Sequence, residues 1–235
     1  MKIILSPAKK MIADTDNIAP VELPAFIDKT AEILGWMKSK SKEELKAIWK
    51  CNDKIAEQNF NRLETMDLYN RLTPAVLAYE GIAFQYMAPA VFEIQQFEYL
   101  QNHLRILSAF YGILKPLDGV TPYRLEMQAK AEIEETTNLY DYWGDRLYHS
   151  VIDDSRTIIN LASKEYSKCI ERYLSDKDSY ITITFCELSG DKLVTKGIYA
   201  KMARGEMVKI FPSDRTIQRG TPQGGKRSSE KVRRS

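Results

Sequence analysis

The chain is expected to fold as α/β, a single domain with a mixed β-sheet flanked by helices and a C-terminal β-hairpin. Three observations predict it. Short apolar runs at residues 2–5, 104–110 and 157–161 each empty into a loop of turn-forming or charged residues, as buried strands do. Between them lie segments whose apolar residues recur at helical spacing. Near the end, YITITFCEL alternates, meets the turn word SGDK, and resumes at Leu193, the pattern of two paired strands. With 235 residues, 44% of them hydrophobic, the chain is long enough to bury one large core.

The elements follow in order. Residues 2–5 form a strand that exits into Ser6-Pro7-Ala8-Lys9-Lys10, a tight basic turn. In open α/β sheets ligands sit just beyond the carboxyl ends of strands, so an anion has a natural seat there, although adjacent lysines often only solubilise a loop. Residues 14–24 are polar and proline-marked. Helices are expected next around Phe26 to Met37, after Ser41, and over 53–63, with Ser41 and Glu44 spaced as a capping box. Residues 75–79 after Pro74 read as a further buried strand, and 92–102 as a helix leading into His103.

Residues 103–127, HLRILSAFYGILKPLDGVTPYRLEM, gather the densest chemistry. A strand runs into a loop with Gly112, Pro116, Gly119 and Pro122, where the chain turns repeatedly. That loop also carries Lys115, Asp118, Tyr123, Arg124 and Glu126, the inventory either of a binding site or of a salt-bridged turn. Arg105, alternating into an apolar strand, must reach solvent or pair inside. Residues 139–152 read as an amphipathic helix opening on a Tyr-Asp-Tyr-Trp cluster. The strand at 157–161 switches at Ala162-Ser163 into a helix over 164–174, which places Ser163 at an N-cap and Asn160 beside it; this is either an anion pocket or a plain connection. After the hairpin, Lys201 and Arg204 stand about one helical turn apart.

Charge and cysteine usage bound the function. Lys+Arg 34 against Asp+Glu 32 gives a net charge of +2, so affinity for nucleic acid must come from segregated charge. Cys51, Cys169 and Cys186 are scattered without a metal-knuckle spacing, and with two histidines in the chain no metal site or cofactor is expected. No G-x-G-x-x-G, P-loop or nucleophile elbow names a reaction. The first residues are too short an apolar run for a signal peptide, and no stretch approaches a membrane span, so a cytoplasmic protein without membrane contact is expected.

The words SPAKKM, YGILKPLD, PYRLEM, DYWGD, INLASKEY and AKMARG occur in this order. Together they resemble the YaaA family of bacterial proteins linked to peroxide stress, across residues 1 to about 209. The resemblance implies a cytoplasmic α/β protein that binds DNA through a positively charged cleft and limits oxidative DNA damage, with no settled enzymatic activity. On that basis Lys9, Lys10, Arg105, Lys115, Arg124, Lys201 and Arg204 would hold phosphates, with Asn160 and Ser163 beside them, and Tyr111 and Tyr123 would stack on bases. The helix-hairpin-helix that the resemblance also implies wants two closely spaced glycines, and Tyr111-Gly112 supplies one. The alternative is an enzyme acting on a nucleotide-like or other anionic small molecule, with Asp118, Glu126 and Tyr123 as the acid-base candidates. Oligomeric state is left open by the sequence.

From about Ile210 the words cease to match, as a truncated or frame-shifted end would look. The chain is therefore divided into a domain over 1–211 and a basic tail over 212–235 that is expected to be disordered. That tail carries seven Lys/Arg against two Asp/Glu, more than the whole net charge of the chain, so it says nothing about a DNA-binding cleft.

Overall fold

The computed structural model describes residues 1–16, 18–190 and 192–213. The segment from 214 onward, where disorder is expected, lies outside the described residues. The elements run β1 (Lys2–Leu5), β2 (Lys10–Met11), α1 (Ile27–Lys38), α2 (Lys42–Trp49), α3 (Asp53–Glu64), β3 (Thr73–Pro74), α4 (Ala75–Ala78), β4 (Tyr79–Glu80), α5 (Ile82–Met87) and α6 (Ile94–His103). The second half adds β5 (Leu104–Ser108), β6 (Gly112–Leu114), β7 (Gly119–Val120), α7 (Leu139–Trp143), α8 (Arg146–Val151), β8 (Thr157–Asn160), α9 (Lys164–Glu171), β9 (Ser179–Thr182), β10 (Glu187–Ser189), β11 (Lys192–Val194) and α10 (Gly197–Ile210).

Five strands make the main sheet in the order β6-β5-β1-β8-β9, and β6 alone runs antiparallel to its neighbour. The predicted mixed α/β fold is the fold observed. β1 and β5 are buried nearly throughout because helices cover both faces of a parallel sheet, which is why they read as continuous apolar runs rather than alternations. From β1 the chain crosses toward β5 on one side, while from β8 it moves to β9 on the other. The carboxyl ends of β1 and β8 thus flank a topological switch point, where the two outgoing connections diverge and leave a crevice.

The capping box forms as the sequence predicts: Glu44 N–H donates to Ser41 Oγ at 3.2 Å, and Ser41 N–H donates to Glu44 Oε2 at 2.7 Å. Three predicted elements differ. Residues 75–79 form one helical turn and then β4, because Ala75 N–H and Val76 N–H donate to Asp118 O and Pro116 O in the opposing loop and not to a strand. The helix over 139–152 is two helices, since Gly144 takes a positive φ of 55° and breaks the run. The hairpin exists but is shorter: it pairs β10 with β11, while β9 joins β8 in the main sheet. The second strand, expected over Leu193 to Tyr199, ends early, and Gly197, Ile198 and Tyr199 already lie in α10. Asp191 of its turn lies outside the described residues.

Tyr111-Gly112 sits in the β5–β6 turn with Gly112 at φ +73°, and a Cβ there would fall 2.7 Å from the Trp143 ring. The glycine therefore serves a strand-to-strand turn packed on an indole, not a helical hairpin. Beyond α10 a 3-10 turn spans Phe211–Ser213 with Phe211 and Pro212 buried, so packing continues past the expected boundary at 211 into the first residues of the expected tail.

Candidate functional site

Two loops leave the switch point, Ser6 to Lys10 from β1 and Leu161 to Glu165 from β8. They are stitched together: Ser163 N–H donates to Ser6 Oγ at 2.8 Å, and the Ser6 hydroxyl donates to Ser163 Oγ at 3.1 Å. Asn160 braces the second loop from beneath, accepting from Ala162 N–H at 2.8 Å and donating to Thr182 Oγ1 at 3.3 Å. Buried with both ends of its amide engaged, Asn160 holds the loop and does not face open space.

A third wall comes from Glu80 to Phe84, which can approach only because residue 81 is glycine. A Cβ there would lie 2.7 Å from Ala8 Cβ. The fourth wall is α10, which crosses α5 so closely that a Cβ on Gly205 would meet Ala83 O at 2.1 Å. That close crossing brings Lys201 and Arg204 over the loops. The segment Tyr123 to Glu126 closes a cleft of about 410 Å³.

Of the residues that the sequence singled out, Lys9, Lys10, Arg124, Lys201 and Arg204 line this cleft, together with Tyr123, Glu126 and Ser163. Their charges are not equivalent. Lys9 Nζ lies 2.7 Å from Glu126 Oε2 and Lys10 Nζ lies 2.8 Å from Glu80 Oε2, so both lysines are matched by carboxylates of the same cleft. Arg124 approaches Glu126 Oε1 at 3.5 Å, and its buried Nε has no hydrogen-bond partner. Arg204 also has a buried Nε without an acceptor. Its pKa is lowered by burial, with no carboxylate among the described residues acting against that burial. Lys201 is exposed at the rim.

The others lie elsewhere. Arg105, Lys115 and Asp118 form a separate cluster with Glu22: Lys115 Nζ is 2.6 Å from Glu22 Oε1, and Asp118 Oδ2 accepts from Lys115 N–H at 2.8 Å. Burial pushes the Asp118 carboxyl up to about 7, but this acid-base candidate stands outside the cleft. Tyr111 is fully buried, with its hydroxyl accepting from Thr121 N–H at 3.0 Å, so it presents no face to a base. Tyr123 touches the cleft but is nearly enclosed. Ser108 Oγ accepts from Phe110 and Tyr111 N–H, which leaves its hydroxyl to donate to Tyr123 at 2.7 Å, and Tyr123 in turn meets Tyr79 at 2.9 Å. Burial raises Tyr123 to about 12, so it is a hydrogen-bonding group near neutral pH and not a titrating one. The buried Cys169 thiol is likewise pushed up to about 12, far from a reactive thiolate.

The family profile of the peroxide stress protein YaaA matches residues 1–218. The chain belongs to the YaaA family. Among curated relatives, a UPF0246 protein of Agathobacter rectalis is 83% identical over 211 residues, covering 90% of this chain and 85% of its own. One from Lachnoclostridium phytofermentans is 54% identical over 211 residues (90% and 83%), and one from Desulfitobacterium hafniense 50% over 218 residues (93% and 86%). Every cleft residue of this YaaA-family chain falls inside the matched span.

Several cleft residues escaped the sequence-based expectation: Ser6, Glu80, Gly81, Phe84, Glu165 and Tyr166. Glu165 and Tyr166 stood in the INLASKEY word and Ser6 in SPAKKM, so the word boundaries carried a usable signal. Nothing local marked Phe84. Among the described residues no helix is long and apolar enough to cross a membrane.

Proposed function

We propose that this YaaA-family protein acts in the peroxide stress response by holding a small phosphate-bearing ligand in the cleft at the β1–β8 switch point. The observation that carries this reading is Arg204. A half-buried guanidinium with no acid among the described residues offsetting its burial and an Nε lacking an acceptor is costly for a fold to keep, by about 1–3 kcal/mol for the unmade hydrogen bond alone. An anionic ligand would repay that cost. The three carboxylates in the same cleft, Glu80, Glu126 and Glu165, weigh against a polyanion laid along it and favour a compact ligand.

Binding of DNA, which would limit its oxidative damage directly, is the second reading. It is favoured by Lys201, a cation at the rim and open to a backbone phosphate. An acid-base enzyme in the same cleft has Glu126 as its best remaining candidate. Titrating pyrophosphate and a short duplex into the full chain and into Arg204→Gln separates the first two. A compact-ligand site binds pyrophosphate and loses at least tenfold in affinity with Arg204→Gln. If pyrophosphate does not bind while duplex does, with a log-log salt slope near −0.9 per phosphate contacted, the DNA reading replaces it.

A further inference from the structure

Resting on the anion-binding reading above, we infer that the ligand of the cleft is a nucleoside phosphate whose base carries an exocyclic amine. The cleft is chemically polarised. On the α10 side stand Lys201 and Arg204, which have no matched carboxylate among the described residues. Between the two sides the lining is apolar: Phe84, Leu125 and Tyr166 are anchored in the core, and the half-buried Pro7, Ala8, Ile82 and Ala83 turn apolar surface to the cleft. On the far side stand groups that accept or exchange hydrogen bonds. Glu126 and Glu80 are already occupied by lysines, but Glu165 holds only the Gln128 N–H at a long 3.4 Å. Ser163 occupies the N-cap of α9 yet makes no cap bond, because its amide and its oxygen are engaged by Ser6. Its hydroxyl proton is therefore available to a ligand.

A ligand complementary to this arrangement needs an anionic end, a body with apolar faces, and hydrogen-bond donors at the other end. Inorganic phosphate and sugar phosphates lack the body, and a bare nucleobase lacks the anion. A nucleoside monophosphate has all three: phosphate for Arg204 and Lys201, base faces for the apolar lining, and an amine for the carboxylate of Glu165. Adenine, cytosine and guanine carry such an amine; uracil carries a carbonyl in the corresponding place and would be repelled by Glu165. A cleft of about 410 Å³ lies within the range of sites that enclose small molecules.

Calorimetric titration of the full chain with AMP, UMP, adenosine and inorganic phosphate tests this, with Arg204→Gln and Glu165→Gln as variants. We expect AMP to bind at least tenfold more tightly than phosphate and than UMP. Arg204→Gln should remove the advantage of AMP over adenosine, and Glu165→Gln should remove the advantage of AMP over UMP while leaving phosphate affinity unchanged. Phosphate and AMP binding equally, both through Arg204, would overturn the nucleotide assignment and leave the anion site standing. Equal affinity for AMP and UMP that Glu165→Gln does not alter would overturn the amine selection. No binding of phosphate or of any nucleotide would overturn both readings together. Circular dichroism of the two variants separates lost folding from lost contact.

Discussion

Arg105 and Arg204 are both substantially buried arginines whose pKa is lowered first by burial, yet their surroundings differ. Around Arg105 the carboxylates of Asp118 and Glu22 oppose that lowering, and its NH1 donates to the carbonyls of Gln101 and Leu104 at 2.9 and 2.7 Å. Around Arg204 no group among the described residues opposes it. One guanidinium is consumed by the fold and the other is offered outward. The difference teaches that basic residues of one sequence-level class separate into structural and binding roles only through the acids that the tertiary fold brings to them. Lys115 and Lys201 repeat the contrast at lower stakes, one tied to Glu22 and one exposed at the rim of the cleft.

The sharpest way to break this comparison is to remove each charge in turn. Arg105→Met should cost about 2 kcal/mol or more, since it removes two charged hydrogen bonds to the carbonyls of Gln101 and Leu104 and the positive charge facing buried Asp118. Arg204→Met should leave the melting temperature unchanged or raise it, because an unmatched cation disappears and its stem is replaced by apolar atoms. Thermal denaturation of the two variants reads this directly. Equal losses in both would mean that Arg204 is structural and would remove the main support for a ligand at α10.

Much of this contrast was invisible to the sequence. The words SPAKKM, PYRLEM, INLASKEY and AKMARG placed most of the basic lining of the cleft, and the strands at 2–5, 104–108 and 157–160 followed from apolar runs that a parallel sheet buries on both faces. What failed were features that depend on a distant partner. Residues 75–79 carry the composition of a strand, but their amides are claimed by the loop at 116–118. Ser179 to Thr182 looked like half of a hairpin because local alternation cannot reveal a parallel neighbour. Arg105 and Lys115 read from the sequence like the cations of the cleft because nothing in the chain near them announces Glu22, which comes from a proline-marked excursion far upstream.

A second, smaller effect sharpens the comparison through pH. Asp118 is 2% exposed, its Oδ1 has no partner, and burial raises its carboxyl to about 7 against about 3.9 in an unfolded chain. Between those two values the folded state holds a proton that the unfolded state has released, so stability falls as pH rises from about 4 to about 7 and levels off above. Asp118→Asn should flatten that part of the stability profile, with the variant gaining on the parent by a few kcal/mol at pH 8 and matching it near pH 4. Chemical denaturation at a series of pH values measures it. A parent profile already flat between pH 4 and 7 would mean that Arg105 and Lys115 keep Asp118 ionised, so that the cluster is a closed ion network. Ligand affinity in the cleft should not follow this titration, because Asp118 is not among the residues that line it.

The smallest expected effect is at Glu126, where the two kinds of region meet. Its Oε2 pairs with Lys9, an exposed lysine whose ion pair with it is screened by solvent, and its Oε1 lies 3.5 Å from Arg124, a longer contact on a better buried partner. Glu126→Gln keeps the shape and one accepting oxygen while removing the charge, and the contact it gives up is either an exposed ion pair or a long one, so the fold should lose about 1 kcal/mol or less. The same change frees Lys9 and Arg124 from their shared carboxylate and raises the positive potential of the cleft, so pyrophosphate should bind several-fold more tightly. A large fall in melting temperature would assign Glu126 to the Arg105 class, an acid whose work is to neutralise a buried guanidinium. Weaker pyrophosphate binding with the fold intact would point the other way, to a carboxylate that positions Arg124 and Lys9 for the ligand. Tighter binding with the fold intact is the expected outcome, because the charge of Glu126 then opposes the incoming anion more than its geometry assists it.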